Sequence, residues 1–164
     1  MIAELLSTFN STMKFMEQSV VDLSDRQMVE QPAGVPNHAA WTLGHIIYGC
    51  QEMAGALGIE EWLPREWPTL FGTDTIPLAD VSRYPNKSAL LALLKESASR
   101  LENALLATNE SALAQPLPDE QCREILPTMG HALLQVMAAH TAFHAGQLSV
   151  WRRAIGLRPV SCFV

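Results

Sequence analysis

The sequence predicts an all-α fold, a four-helix bundle, and three observations carry that prediction. Apolar residues recur at helical spacing in four long segments. No segment alternates apolar and polar residues as a half-buried strand does. Capping and stopping residues stand at the segment ends. With 164 residues, 48% of them apolar, the chain is the size of one domain with one core, read as spanning 1–164.

Segment 2–20 sets Ile2, Leu5, Leu6, Phe9, Met13, Met16 and Val20 on one stripe, the first long helix. Ser24 followed three residues later by Gln27 fits a capping box, so a short helical piece begins there, stopped by Pro32, Gly34 and Pro36. Asn37 is the expected cap of a second long helix over about 38–57, ending near Gly58. The connection 58–86 carries Pro64, Pro68, Pro77 and Pro85. It is too long for an ordinary link, so it holds a short helix near 60–63 or folds over the bundle as a lid. Asn86 or Ser88 starts a third long helix through Leu90, Leu94, Leu101 and Leu105, ending near Thr108. After a polar link with Pro116 and Pro118, Pro127 suits the first turn of a fourth, which Gly156 and Pro159 stop.

Charge narrows the function. Eleven Lys and Arg against seventeen Asp and Glu, net −6, give no basic surface for nucleic acid. Arg152 and Arg153 are read as favouring the negative end of the last helix, in preference to an anion site with Arg158. No window is apolar enough for a membrane span. The N-terminus lacks the basic start of an export signal, so the expected location is cytoplasmic. Cys50, Cys122 and Cys162 are odd in number without CxxC spacing, which argues against a disulfide framework or a thiolate zinc knuckle.

The informative feature is histidine placement. His140 and His144, four apart, stand about 40° apart around a helix axis and one turn along it. They share a face with Leu133, Val136, Met137, Gln147, Leu148 and Trp151, so both imidazoles point inward and need a partner. His45 does the same on the second helix, with Trp41, Gly49 and Glu52, and Gly44 and Gly49 beside it offer close helix approach. Three neutral imidazoles meeting in a bundle suit a borderline divalent ion and leave a position open. On spacing and facing alone, a metal site and hydrogen-bonded core histidines stand equally open. The segment HTAFH lacks the glutamate of the HExxH peptidase motif, which therefore does not apply. His131 is half a turn out of phase and is expected at the surface or in helix packing. His38 lies about 10 Å along the axis from His45, too far to share an ion.

The segment NHAAWTLGH at 37–45 and the segment HTAFHAGQLSVWRR at 140–153, with Leu70, Phe71, Gly72, Tyr84 and Pro85 between them, resemble the DinB/YfiT-like superfamily, a group regarded as metalloenzymes. The resemblance covers nearly the whole chain. It implies an up-down-down-up four-helix bundle, frequently a homodimer, with zinc, nickel or iron held by His45, His140 and His144. Relatives in that superfamily include thiol-dependent S-transferases and a mycothiol-dependent isomerase. The expected function is therefore transfer to, or hydrolysis of, a small-molecule substrate, with the metal activating a low-molecular-weight thiol or water. Gln147, Glu52, Tyr48 and Trp41 are the candidates for supporting the ligands or lining the substrate site, with helix packing the alternative for Gln147 and a place at the bundle end or a dimer seam the first reading of Glu52. Trp41, Trp62, Trp67 and Trp151 are read first as packing residues, with Trp62 and Trp67 placed to cover a ligand as the alternative. The rival reading is a non-catalytic dimerising or ligand-sensing bundle whose metal is structural.

Overall fold

The computed structural model describes residues 2–32 and 34–160, and Cys162 lies outside them. Four long helical segments appear where the apolar periodicity puts them: α1 (Ile2–Gln18), α2 (Ala39–Ala56), α4 (Lys87–Ala107) and a last segment made of α6 (Met129–Leu134), a π-helical turn (Gln135–His140) and α7 (Thr141–Ala154). Two short helices, α3 (Trp67–Phe71) and α5 (Glu110–Leu113), lie in the connections. Among the described residues the only β pairing is an isolated bridge, Pro116 to Thr128.

The long segments touch in a ring, α1 with α4, α4 with α2, α2 with α7 and α7 with α1. Phe9, Met16, Leu43, Ile47, Leu101, Leu133 and Trp151, all almost fully buried, fill its interior. α2 is buried nearly all round, from Ala39 to Ala54. A helix can be so only when elements cover it on several sides, and here α3 and its flanks add a cover to α4 and α7.

The ends follow capping chemistry. Ser24 N–H donates to Gln27 Oε1 at 2.9 Å and Gln27 N–H to Ser24 Oγ at 3.3 Å, the expected capping box, ahead of a 3₁₀ turn (Gln27–Val29). Asn86 caps α4 through Ala89 N–H. α2 and α7 both close with a left-handed glycine, Gly58 at φ 87° and Gly156 at φ 84°. At each, two reverse bonds satisfy the last carbonyls: Gly58 to Gly55 with Ile59 to Ala54, and Gly156 to Arg153 with Leu157 to Arg152.

Several expectations are corrected. The α2 cap is His38, whose ring accepts Trp41 N–H, and not Asn37. Pro127 precedes the last helical segment and Thr128 caps it. The short helix of the long connection is at Trp67–Phe71 and not near 60–63. Pro68 fits its first turn, where a missing N–H costs nothing. Arg152 and Arg153 do stand in the last turn of α7, but Arg152 is 6% exposed and forks onto both carboxylate oxygens of Asp22 at 2.7 and 2.6 Å. No helix among the described residues is long and apolar enough to cross a membrane.

Candidate metal centre

His45 of α2 and His140 and His144 of the last segment come together, each offering a ring nitrogen within 4.8 Å of the others. His45 Nε2 is 3.0 Å from His140 Nε2. The ring centroids lie 4.6 to 5.0 Å apart with the planes steeply inclined, so the rings present edges to one another and do not stack.

The His45 tautomer follows from its partner. Nδ1 lies 2.7 Å from the Phe71 carbonyl, which can only accept, so Nδ1 carries the proton and Nε2 turns its lone pair to the cluster. The acceptor exists because α3 ends at Phe71 and its last carbonyls have no helical donor. His140 Nδ1 and His144 Nδ1 are buried with no hydrogen-bond partner. Burial holds all three rings below the usual imidazole range, His140 and His144 at about 4. They are therefore neutral at pH 7, the form that ligates.

These residues fit a divalent ion. Two nitrogens bonded to one ion at about 2.0–2.1 Å lie roughly 3 Å apart, the spacing of the His45 and His140 Nε2 atoms. Three neutral imidazoles are also the donor chemistry that a borderline divalent ion takes.

Around the cluster, Trp41 stacks on His45 at 4.8 Å with a 9° tilt and meets His144 edge-on. Its Nε1–H donates to Thr75 Oγ1 at 2.8 Å, which fixes the indole as a wall. The Gln147 side chain acts on the His144 ring, raising its pKa against the burial effect, while Asn37 Nδ2 donates to Gln147 Oε1 at 3.4 Å. Tyr48 is half-buried, and burial followed by the charge of Glu52 raises its pKa.

Glu52 is a correction: it is exposed, not inward. Its helical phase is that of His45. His38, Trp41 and His45 on that face are 0, 6 and 9% exposed, Tyr48 and Gly49 are intermediate, and Glu52 is open. Phase gives a face; cover decides burial, and the hydrogen bonds that tie segment 71–78 to this face run from His38 to His45.

The second correction concerns Gly49. Gly44 does admit a close helix approach, that of the short α3: a Cβ there would stand 2.1 Å from the Phe71 ring. Gly49 is not tight, since its Cβ would meet His140 at an ordinary 3.9 Å. Trp67 is buried, its Nε1–H donating to the Gly44 carbonyl at 3.1 Å, and Trp62 is tied to Ser97 of α4. Both are packing residues. His131 is exposed, as expected. Cys50 is fully buried with its thiol pushed up to about 12, chemically inert.

Sequence reasoning missed the antiparallel zipper along this face. His38, Trp41 and His45 bond in turn to the Leu78 carbonyl, Thr75 Oγ1 and the Phe71 carbonyl. Two of the three acceptors are main-chain oxygens, for which side-chain patterns carry no signal.

The sequence profile of the DinB superfamily matches residues 9–148. A crystal structure of a conserved protein from Enterococcus faecalis superposes with a TM-score of 0.76 at 18% identity, over 93% of this chain and 95% of that one, a likeness of fold. No curated protein matches the chain.

Proposed function

The chain belongs to the DinB superfamily, and from that membership and the imidazole cluster we propose that it is a metal-dependent enzyme acting on a small molecule, by transfer of a thiol or by hydrolysis. The observation that carries this reading is the convergence of three neutral imidazoles, His45 and His144 buried and His140 partly so, with their ring nitrogens within 4.8 Å. His45, His140 and His144 are the proposed ligands. An all-imidazole donor set suits zinc or nickel first, and iron(II) as well. A divalent ion held there supplies Lewis acidity, lowering the pKa of a thiol or water and polarising an acceptor group.

The chain's own residues supply the rest. The Phe71 carbonyl orients His45, and Trp41 covers one flank and excludes water there. Gln147 supports His144 and, tied to Asn37, presents an amide beside the cluster. Tyr48 and Glu52 stand where the α2 face opens to solvent, with a phenol to donate and a carboxylate to accept a proton.

The test is metal analysis of protein purified without added ions, followed by turnover of activated aryl halides and esters with bacillithiol, mycothiol, glutathione or water alone. One equivalent of metal and a rate abolished by a chelator are expected. Bound metal without turnover on the whole panel would reduce the ion to a structural staple in a non-catalytic bundle.

A further inference from the structure

Gly44 and Phe71 interlock more tightly than any side chain at position 44 would allow. A Cβ there would lie 2.1, 2.2 and 2.6 Å from three successive ring carbons of Phe71. The ring has little room to retreat: Phe71 is fully buried, against Trp67 at 4.6 Å and Tyr84 at 5.8 Å between centroids. The main chain is pinned on both sides. Trp67 Nε1–H donates to the Gly44 carbonyl, and Thr75 Oγ1 donates to the Gly72 carbonyl at 2.8 Å while accepting from Trp41. The residue so pinned is the one whose carbonyl meets His45 Nδ1.

We propose that segment 67–78 is a tautomer lock for the metal centre: seating Phe71 on bare backbone at Gly44 places the Phe71 carbonyl on His45 Nδ1 and commits the His45 lone pair to Nε2 before any ion arrives. Gly44 is then a positioning residue, acting through Phe71. The consequence for metal affinity rests on the metal-centre reading above; the lock itself does not. A neutral imidazole otherwise exchanges its proton between two nitrogens, and the hydrogen bond at one decides which lone pair is free. Outer partners that fix a ligating histidine in this way typically contribute 10–100-fold in metal affinity. The lock serves one ligand only, because His140 Nδ1 and His144 Nδ1 have no such partner. His45 is thus the pre-set ligand, and the pair on the last segment closes on it.

The experiment compares wild type, Gly44→Ala, Thr75→Val and Gly55→Ala. Gly55 lies on the same helix, with nothing within 4 Å of an added Cβ, so Gly55→Ala is the control. Nitrogen-15 spectra of histidine-labelled, metal-free protein report which ring nitrogen of residue 45 holds the proton, and competition titration gives the zinc dissociation constant. Wild type and Gly55→Ala are expected to show Nδ1–H at residue 45. Gly44→Ala is expected to show a mixture and to bind zinc about 10–100-fold more weakly. Thr75→Val, which loosens the segment without inserting atoms, shifts both readouts the same way by a smaller factor and carries the comparison if Gly44→Ala does not fold. Wild-type tautomer signatures and zinc affinity in both variants would overturn the proposal. If wild type takes up no zinc, the metal reading fails, and the lock stands or falls on the spectra alone.

Discussion

His38 and His45 lie about two turns apart on one face of α2 and carry their ring protons on opposite nitrogens. His38 Nδ1 accepts Trp41 N–H at 3.1 Å, so its proton sits on Nε2, 3.1 Å from the Leu78 carbonyl. His45 gives its Nδ1 proton to Phe71 and keeps the Nε2 lone pair for the cluster. Both nitrogens of His38 are consumed by the fold, and one nitrogen of His45 is left for chemistry. Distance excluded His38 from the site; hydrogen bonding explains what it does instead.

His38→Ala is therefore expected to cost stability and leave the metal alone. It removes a helix cap, worth about 1 kcal/mol, and strands the Leu78 carbonyl, for a total of roughly 2–3 kcal/mol. His38→Asn restores the cap and recovers part of the loss. Urea midpoints measure the cost, and zinc stoichiometry should remain that of wild type. A loss of zinc equal to that in His45→Ala would instead place His38 among the ligands.

Replacing any one of His45, His140 and His144 by alanine should weaken zinc binding by about 100-fold or more, because a two-imidazole site loses both a bond and the enclosed geometry. Zinc at a hundred times its dissociation constant stabilises the fold by about 2.7 kcal/mol, or roughly 5–10 °C in Tm for a chain of this size. A chelator should reverse the shift. Calorimetric scans with zinc, and with zinc plus chelator, make the comparison. Equal melting of wild type and the three variants under zinc would dismiss the cluster as a metal centre.

Acid should act on the fold and on metal uptake in different ways. Burial lowers His38, His140 and His144 to about 4, whereas unfolded histidines titrate near 6.5. Between those values the unfolded chain binds more protons, so apo stability is complete above about pH 6.5 and is lost as pH falls through 4. The slope is on the order of 1 kcal/mol per pH unit for each such histidine. His140 and His144 take up protons only near pH 4 and His45 is lowered too, so zinc affinity at pH 5.5 should stay within about tenfold of that at pH 7.5, the most that one ordinary imidazole would cost. Three imidazoles with ordinary pKa values would lose roughly 1000-fold over the same range. Urea titrations and zinc competition at the two pH values separate the cases.

How far this was legible in the sequence depends on the kind of signal. The four long helices and the inward turn of His45, His140 and His144 follow from side-chain periodicity, which the chain writes out at every third and fourth position. The capping box at Ser24 and the glycine stops at Gly58 and Gly156 follow from local backbone needs. The zipper was hidden because the Leu78 and Phe71 acceptors are carbonyls that every residue owns. The π-helical turn ending at His140 was hidden too, since an extra residue in a turn leaves the composition unchanged. Glu52 shows the limit of phase: the helix face was right, and the cover over it came from a segment whose path proline spacing alone does not give.

Gln147 separates support of a ligand from ligation. Its side chain accepts from Asn37 and raises the His144 pKa, and its place in the helix after His144 keeps it beside the cluster. Gln147→Ala should retain zinc within about tenfold while changing turnover or thiol preference. Zinc loss matching that of His144→Ala would identify it as a ligand.

Arg152 and Asp22 test the fold away from the site. The guanidinium is buried, donating to Asp22, to the Ser19 carbonyl at 3.0 Å and to the Arg158 carbonyl at 2.7 Å, so it ties the last helix to the turn after α1 and to the chain beyond α7. Asp22 is half exposed, and solvent screening makes its carboxylate the lesser contributor. Arg152→Met should therefore cost about 3 kcal/mol, since it strands two carbonyls as well as a carboxylate, and Asp22→Asn about 1 kcal/mol. The hydrogen bonds from Arg152 hold the Asp22 pKa below the usual carboxylate range. That part of the stability is present above about pH 4, where an unfolded aspartate is ionised, and is lost as pH falls through the lowered folded value. Equal losses in the two variants would show that the ion pair, and not the carbonyl contacts, carries the link, while zinc affinity should be untouched in both.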